Sequence, residues 1–243
     1  MEKNNKGRAV PFLVLLCGVV AFRLRRQLYL TALDHKGLLL RGTAPEIGLL
    51  LLTVGVLLLL VLTKGSGSGA DRYEDCYCAG PVAAVGHVAM AAGILQTVLT
   101  GMSSVTGYPG MVWRWLGLVS PFCLLLAGGF RLFGKKPFFL LHVVPCLFLM
   151  VQVVCNYQTW SGNPQLQNYL FGLLGTLAMA LFAYYTAAME ADCGDCRMVR
   201  FFGLAAGYLC LTELGWTTQP LLYLGGALWT LTGMCTAVPA GRE

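Results

Sequence analysis

The sequence predicts an all-α fold, a polytopic transmembrane helix bundle of about eight spans. The chain of 243 residues is 57% hydrophobic and only 12% charged, whereas soluble domains are about 25% charged. Apolar residues fall in long runs such as Ile47–Thr63 and Pro137–Cys155, and a helix needs ~20 mostly apolar residues to cross the bilayer. Because backbone groups in hydrocarbon must pair internally, such runs favour helices over barrel strands.

The candidate spans follow one another closely and predict a single integral membrane domain over residues 1–243. They cover residues 9–22, 44–63, 79–101, 111–133, 137–157, 168–190, 198–216 and 220–238. The first is short and follows three basic residues, as in a signal peptide, but it lacks a small-residue cleavage site. We interpret it as an uncleaved helix whose following arginines reach the interface. If residues 9–22 do not cross, seven spans remain.

Two connections have a distinctive composition. The longest, Arg23–Thr43, contains Asp34-His35-Lys36-Gly37, a plausible turn with glycine where positive φ is needed. It predicts a small hairpin or a segment lying on the membrane. Residues 64–78 combine a flexible Gly/Ser-rich stretch with an acidic patch.

Basic residues predict the orientation. In the eight-span arrangement, eleven of the seventeen Lys and Arg residues lie on the side that holds both termini. The positive-inside rule places that side in the cytoplasm of a cell membrane. With seven spans the two sides nearly balance, and the rule no longer decides.

Composition and motifs exclude several functions. The formal net charge is +6, but the basic residues are scattered between apolar runs, so no nucleic-acid partner is predicted. The chain has no His-Glu-x-x-His, no Gly-x-Ser-x-Gly and no phosphate-binding loop. We therefore predict a protein that is not an enzyme, with no cofactor and the lipid bilayer as its main partner.

A polar stripe marks the fifth candidate span. His142, Leu149, Gln152 and Asn156 are spaced by seven, three and four residues, which returns to nearly the same helical face. Polar groups in lipid usually face the bundle interior or a water-filled cavity. The stripe predicts either a ligand or ion path or a set of interhelical hydrogen bonds.

Two further ionisable residues lie inside spans. His87 has small neighbours that predict close packing of a neutral histidine, and a metal pair with His142 would lack further ligands. Glu213 is an acid within a late span, and such acids are functional candidates. A helix-breaking sequence follows Glu213, so its side chain could also reach the interface.

The connection after the fifth span carries no charge and contains many amides and three aromatic residues. Amides pair with hydroxyl groups and aromatic faces cover apolar patches, so this composition suits a small neutral polar solute. We predict a ligand site lined by Gln152, Asn156, Trp160, Glu213 and His142. The alternative is an interfacial belt of aromatic and turn residues.

Ten cysteines are too widely spread to predict a disulfide framework, and most lie in spans as small apolar residues. Cys76-x-Cys78 and Cys193-x-x-Cys196 lie in two connections of the predicted cytoplasmic side. Four thiolates could bind zinc, and Cys-x-x-Cys could be redox-active. Acidic neighbours work against thiol reactivity, and we predict no metal site.

The segment from Arg26 to Gly37 and the run Trp160-Ser161-x-x-Pro164-Gln165-Leu166-Gln167 resemble multi-pass membrane proteins of Gram-positive anaerobic bacteria. The resemblance covers most of the chain. That set has no assigned function, so the resemblance implies a bacterial cytoplasmic membrane and no mechanism.

Two functions remain open. The first is a non-enzymatic membrane component, a scaffold, sensor or accessory subunit that acts through a membrane protein partner or as a homo-oligomer. The second is a carrier or binding protein for a small neutral polar solute. A carrier would show matched halves with polar groups at the midplane, and the sequence shows no such symmetry, which favours the first.

Overall fold

The computed structural model describes residues 3–32, 42–64, 73–77, 80–101, 107–160 and 169–236. These residues form helices and no extended strand, which confirms the all-α prediction. The helices are α1 (Lys3–Thr31), α2 (Ala44–Lys64), α3 (Tyr73–Cys76), α4 (Pro81–Gly101), α5 (Gly107–Leu132), α6 (Leu140–Trp160), α7 (Leu170–Glu190), α8 (Cys196–Glu213) and α9 (Pro220–Thr236).

Five of these helices are long and apolar enough to cross a membrane: α2, α4, α5, α6 and α7. The chain is therefore a membrane-type helix bundle. The other three long helices carry more charge or are shorter. Arg23, Arg25 and Arg26 add charge to the second half of α1, α8 carries three charged residues, and α9 has only 17 residues. The count of eight spans stays a prediction.

The first helix differs from the predicted span. It continues beyond Phe22 to Thr31, so the first part of the predicted connection Arg23–Thr43 is helical. Two contacts explain the extension. Arg25 forms an ion pair with Glu213, and the ring of Tyr29 stacks on Trp216 at 4.3 Å. The predicted turn at residues 34–37 lies outside the described residues, as does most of the 64–78 connection.

Six helices form a closed ring. Each helix from α4 to α8 packs on the next one in the chain, and α9 packs back on α4. Helices α1 and α2 lie outside the ring against α8. The ring interior holds large, fully buried side chains, among them Trp113, Phe148, Phe182, Tyr223 and Trp229.

Glycines allow the close approach that closes the ring between α4 and α9. A Cβ atom on Gly93 would lie 2.4 Å from the backbone oxygen of Leu221, and one on Gly225 would lie 2.5 Å from that of Ala89. Small residues of this kind let membrane helices pack backbone to backbone.

The short helix α3 defines one end of the ring. Helices α5 and α7 end there, and α4, α6 and α8 begin there, because consecutive helices are antiparallel. A disulfide bond between Cys76 and Cys196 fixes α3 to the first residue of α8. The expectation that the cysteines form no disulfide is therefore wrong for this pair. The two residues are 120 positions apart in sequence, and only the folded ring brings them together.

Candidate functional site

A row of buried ionisable side chains crosses the ring at the α3 end. His87 lies in the second turn of α4, and His142 lies in the first turn of α6. Glu190 is the last residue of α7, and Arg131 lies in the last turn of α5. Each of the four is at most 4% exposed. We call His87, His142 and Glu190 the histidine–glutamate chain.

The distances connect these groups from a backbone carbonyl to a guanidinium. Nδ1 of His87 lies 2.7 Å from the carbonyl oxygen of Ala83. Nε2 of His87 lies 3.2 Å from Nε2 of His142, and Nδ1 of His142 lies 2.8 Å from Oε2 of Glu190. The other carboxylate oxygen of Glu190 lies 3.5 Å from Nη2 of Arg131.

The direction of each hydrogen bond assigns the protons. A carbonyl oxygen only accepts, so Nδ1 of His87 donates to Ala83. We assign the proton between the two Nε2 atoms to His142, because that ring is the one in contact with the Glu190 carboxylate. The carboxylate of Glu190 is paired with Arg131 and accepts from Nδ1 of His142. Both nitrogens of His142 then carry a proton. The arrangement fits an imidazolium paired with Glu190, with His87 neutral.

An aromatic wall from α9 covers the two histidines. The ring of Trp229 is parallel to that of His142 to within 4°, with centroids 6.1 Å apart, and it meets His87 edge-on. The rings of Phe182 and Trp229 meet edge-on, with their centroids 5.0 Å apart. An indole face near an imidazolium favours the charged form through cation–π attraction.

Helix α3 covers the arginine. The guanidinium carbon of Arg131 lies 4.3 Å from the ring centroid of Tyr77 and 5.8 Å from that of Tyr73. The Tyr77 hydroxyl lies 3.5 Å from that of Thr186 on α7. Burial raises the pKa of both tyrosines and Arg131 opposes the rise, so both rings are neutral near pH 7 and present their faces to the cation.

A second polar group lies toward the opposite end of the ring. The indole nitrogen of Trp113 donates to Gln152, and Nε2 of Gln152 lies 2.8 Å from Oδ1 of Asn156 and 3.5 Å from Oε1 of Gln219. We call Gln152, Asn156 and Gln219 the amide cluster. Asn156 is 7% exposed, and its Nδ2 has no hydrogen-bond partner among the described residues.

The structure separates the residues that the sequence grouped as one site. Gln152 and Asn156 come together, and the whole predicted stripe on α6 is buried. His142 lies at the α3 end, ten residues from Gln152 along the same helix. Trp160 stacks on Tyr169 at 4.6 Å, one helical turn beyond Asn156 on α6.

Glu213 is a buried, ion-paired residue. It is 4% exposed, and Oε2 lies 2.6 Å from Nη2 of Arg25. That guanidinium also lies over the ring of Phe171 at 4.9 Å. The sequence reading missed Arg25 as a partner because it ended the first helix at residue 22.

Sequence reasoning also missed Glu190 and Arg131. Both lie at the last turn of a helix, where a charged residue ordinarily reaches water, and nothing in their local sequence distinguishes them from such residues. Their partners are 48 and 59 residues away. From the sequence, His87 and His142 were considered together only as an incomplete metal pair, and their direct Nε2–Nε2 contact of 3.2 Å was not predicted.

Metal binding finds no support among the described residues, which contain no group of three or more His, Cys, Asp or Glu side chains placed to hold an ion. Cys76 and Cys196 are joined to each other and in that state offer no thiolate. Cys78 lies outside the described residues.

Together, the fold and these contacts define a multi-pass membrane helix bundle with a buried ionisable chain at one end of its ring. Comparison with family models, curated proteins and solved structures found no match. The functional argument therefore depends on the geometry.

Proposed function

We propose that this protein is a non-enzymatic, proton-responsive component of a bacterial cytoplasmic membrane. It is a sensor in which one proton on the histidine–glutamate chain sets the packing of the helix ring. One observation carries the proposal: the two Nε2 atoms of His87 and His142 lie 3.2 Å apart, and their other ring nitrogens are both held by acceptors. Ionisable groups buried within a membrane bundle are candidates for proton sites.

The mechanism follows from counting protons. With the proton present, His142 donates to His87 and ties α6 to α4. When the proton leaves, Nδ1 of each histidine keeps its own acceptor, and the two Nε2 lone pairs face each other without a hydrogen between them. Two buried acceptors in contact are unfavourable by about 1–3 kcal/mol. Deprotonation therefore separates α4 from α6 at the α3 end.

The charged and titratable neighbours support a single exchangeable proton. Arg131 on α5 pairs with Glu190, and Tyr73 and Tyr77 on α3 contribute neutral rings near pH 7. On α9 the neighbour is Trp229, which does not titrate. The proposal therefore concerns the one proton between the two Nε2 atoms, and histidine is the side-chain type that ordinarily acts as a switch near neutral pH.

Hydrogen exchange in lipid nanodiscs tests the proposal. Amides in the first half of α4, around His87, should be more protected at about pH 5.5 than at about pH 8, after correction for intrinsic exchange rates. In His142→Gln, whose side chain does not titrate, that difference should disappear. A wild-type protein with the same protection at both pH values would refute the proposal.

A second candidate function is a carrier for a small neutral polar solute. The specific observation is the buried Nδ2 of Asn156 in the amide cluster, which has no hydrogen-bond partner among the residues that the structure describes. A donor without a partner in a buried site suits a hydroxyl or carbonyl of a ligand. Helix α6 carries Gln152 and Asn156 of this cluster as well as His142. Solute binding and protonation would therefore act on the same helix.

A further inference from the structure

Both cysteines of the Cys76–Cys196 disulfide are buried. Cys76 is fully buried and Cys196 is 2% exposed, and the bond joins the end of α3 to the start of α8. A soluble thiol cannot reach such a bond directly, because thiol–disulfide exchange needs in-line access to one of the two sulfurs. Any route to this bond must pass through a third thiol.

That third thiol is present in the same turn. Cys193 is exposed and free, and it lies three residues before Cys196 in a Cys-x-x-Cys spacing. The turn between α7 and α8 is tight: Asp192 has a φ of 57°, and a Cβ on Gly194 would lie 2.5 Å from the backbone nitrogen of Met189. The backbone of this turn therefore packs closely against the last turn of α7, and Cys193 and Cys196 are separated by only two residues.

The acidic neighbours of Cys193 are already engaged. Asp192 forms an ion pair with Lys136, and Asp195 caps α8 by accepting from the backbone nitrogen of Arg197 at 2.8 Å. Their negative charge is offset by these partners. The Cys193 thiol donates to the carbonyl oxygen of Ala188 at 3.5 Å.

We propose that the α7–α8 turn is a thiol–disulfide exchange centre in which Cys193 opens the Cys76–Cys196 bond. The Cys193 thiolate, having lost its proton to water, attacks Sγ of Cys196. A Cys193–Cys196 bond forms, the Cys76–Cys196 bond breaks, and Cys76 leaves as a thiolate that takes a proton from water. The number of disulfide bonds is unchanged, so the step needs no oxidant or reductant.

The new bond is open to a reducing partner. Because Cys193 is exposed, the thiolate of an external dithiol can attack its Sγ, and Cys196 leaves with the electron pair. The second thiol of the partner then closes its own disulfide and releases Cys193 as a thiolate. The partner class is therefore a dithiol, which is oxidised as the Cys193–Cys196 pair is reduced.

The exchange has a structural consequence that goes beyond the proton-responsive function. Once Cys76 is released, α3 is held only by noncovalent contacts, chiefly the rings of Tyr73 and Tyr77 over Arg131. The reduction state of the turn would then control how firmly α3 covers the arginine.

The test measures the rate at which dithiothreitol reduces the Cys76–Cys196 bond in detergent-solubilised protein, using acid quenching, alkylation and peptide mass spectrometry. Cys193→Ser should slow the reduction by about tenfold or more, because the entry thiol is gone. Cys123→Ser, which replaces another partly exposed free cysteine, should leave the rate unchanged.

A second variant tests the alternative bond directly. Cys76→Ser, purified under air and alkylated, should contain a Cys193–Cys196 disulfide. Equal reduction rates in the wild type and Cys193→Ser would overturn the proposal. So would recovery of Cys193 and Cys196 as free thiols in oxidised Cys76→Ser.

Discussion

Nε2 of His87 and Nε2 of His142 lie 3.2 Å apart, close enough that one proton must stand between them. The other ring nitrogen of each histidine is committed, in His87 to the carbonyl of Ala83 and in His142 to the carboxylate of Glu190. The hydrogen bond between the two Nε2 atoms therefore forms only when the two rings together carry three protons on their four nitrogens. That count makes the contact sensitive to pH.

The proton count predicts the spectroscopic state of each ring. In ¹⁵N-histidine NMR of the protein in lipid at about pH 5.5, below the ordinary pKa of free histidine, the hydrogen-bond assignment predicts two protonated nitrogens on His142 and a proton on Nδ1 only of His87. His142→Gln should remove the imidazolium signal and so assign it. A neutral His142 with a single protonated nitrogen would contradict the assignment.

Glu190→Gln should destabilise the folded protein strongly. The substitution leaves Arg131 buried without its counter-ion, and breaking one partner of a buried pair costs about 3–5 kcal/mol. Unfolding by a denaturing detergent, followed by circular dichroism, measures the loss. The carboxylate that accepts from Nδ1 of His142 is absent in this variant, so the pH dependence of α4 protection should also vanish.

The matched control is Asp192→Asn, two residues further along the chain. It breaks the ion pair with Lys136, whose side chains are 34% and 56% exposed, and exposed pairs contribute at most about 1 kcal/mol. If both variants lose the same stability, Glu190 does not hold a buried charge in the way described.

The closure of the ring between α4 and α9 can be tested by adding one methyl group. Gly93→Ala would place a Cβ 2.4 Å from the Leu221 oxygen and 2.9 Å from the Leu222 Cα. Backbone atoms cannot move aside as a side-chain tip can, so we expect a loss of about 1–3 kcal/mol in unfolding free energy. Gly55→Ala in α2 meets nothing within 4 Å and should leave stability unchanged or higher.

Much of the fold could be predicted because apolar runs alone determine where membrane-type helices form. The predicted boundaries from residue 44 onward agree with the helices to within a few residues, and the buried face of α6 followed from its spacing. The extension of α1 could not be predicted, since it depends on Glu213 almost two hundred residues away.

The candidate site was only partly predictable for the same reason. Gln152 and Asn156 share one helix, so their spacing placed them on one face. Glu190, Arg131 and the partner of Cys76 depend on which helices become neighbours in the ring, and no local pattern carries that information.

Orientation gives a prediction that links charge to the disulfide. If the side with both termini is cytoplasmic, as the charge count predicts, Cys193 is cytoplasmic too. A membrane-impermeant maleimide should then label wild-type protein in opened cells but not in intact cells, with Cys193→Ser as the control for other thiols. Labelling in intact cells would place the turn outside. The disulfide would then lie in an oxidising compartment and persist there as a structural bond.

The last prediction concerns the amide cluster and separates the two functions. Oδ1 of Asn156 accepts from Gln152, one turn earlier on α6, at 2.8 Å, so Asn156→Leu should lower basal stability by about 1 kcal/mol, the scale of one hydrogen bond. Its Nδ2 has no partner among the described residues. If the protein carries a neutral solute, that donor binds it, and bound ligand raises stability as RT ln(1 + [L]/Kd).

A thermal-shift screen of sugars, amino acids and vitamins tests this. For a carrier, at least one neutral compound should raise the melting temperature of the wild type. Asn156→Leu should abolish that shift, and Trp160→Ala should abolish it if the amide-rich connection contributes to the site. His87→Gln, at the α3 end, is the control for a general loss of stability and should keep the shift. If no compound shifts the wild type while Asn156→Leu is destabilised, the amides serve only helix packing. The carrier function then fails, and the proton-responsive component stands alone.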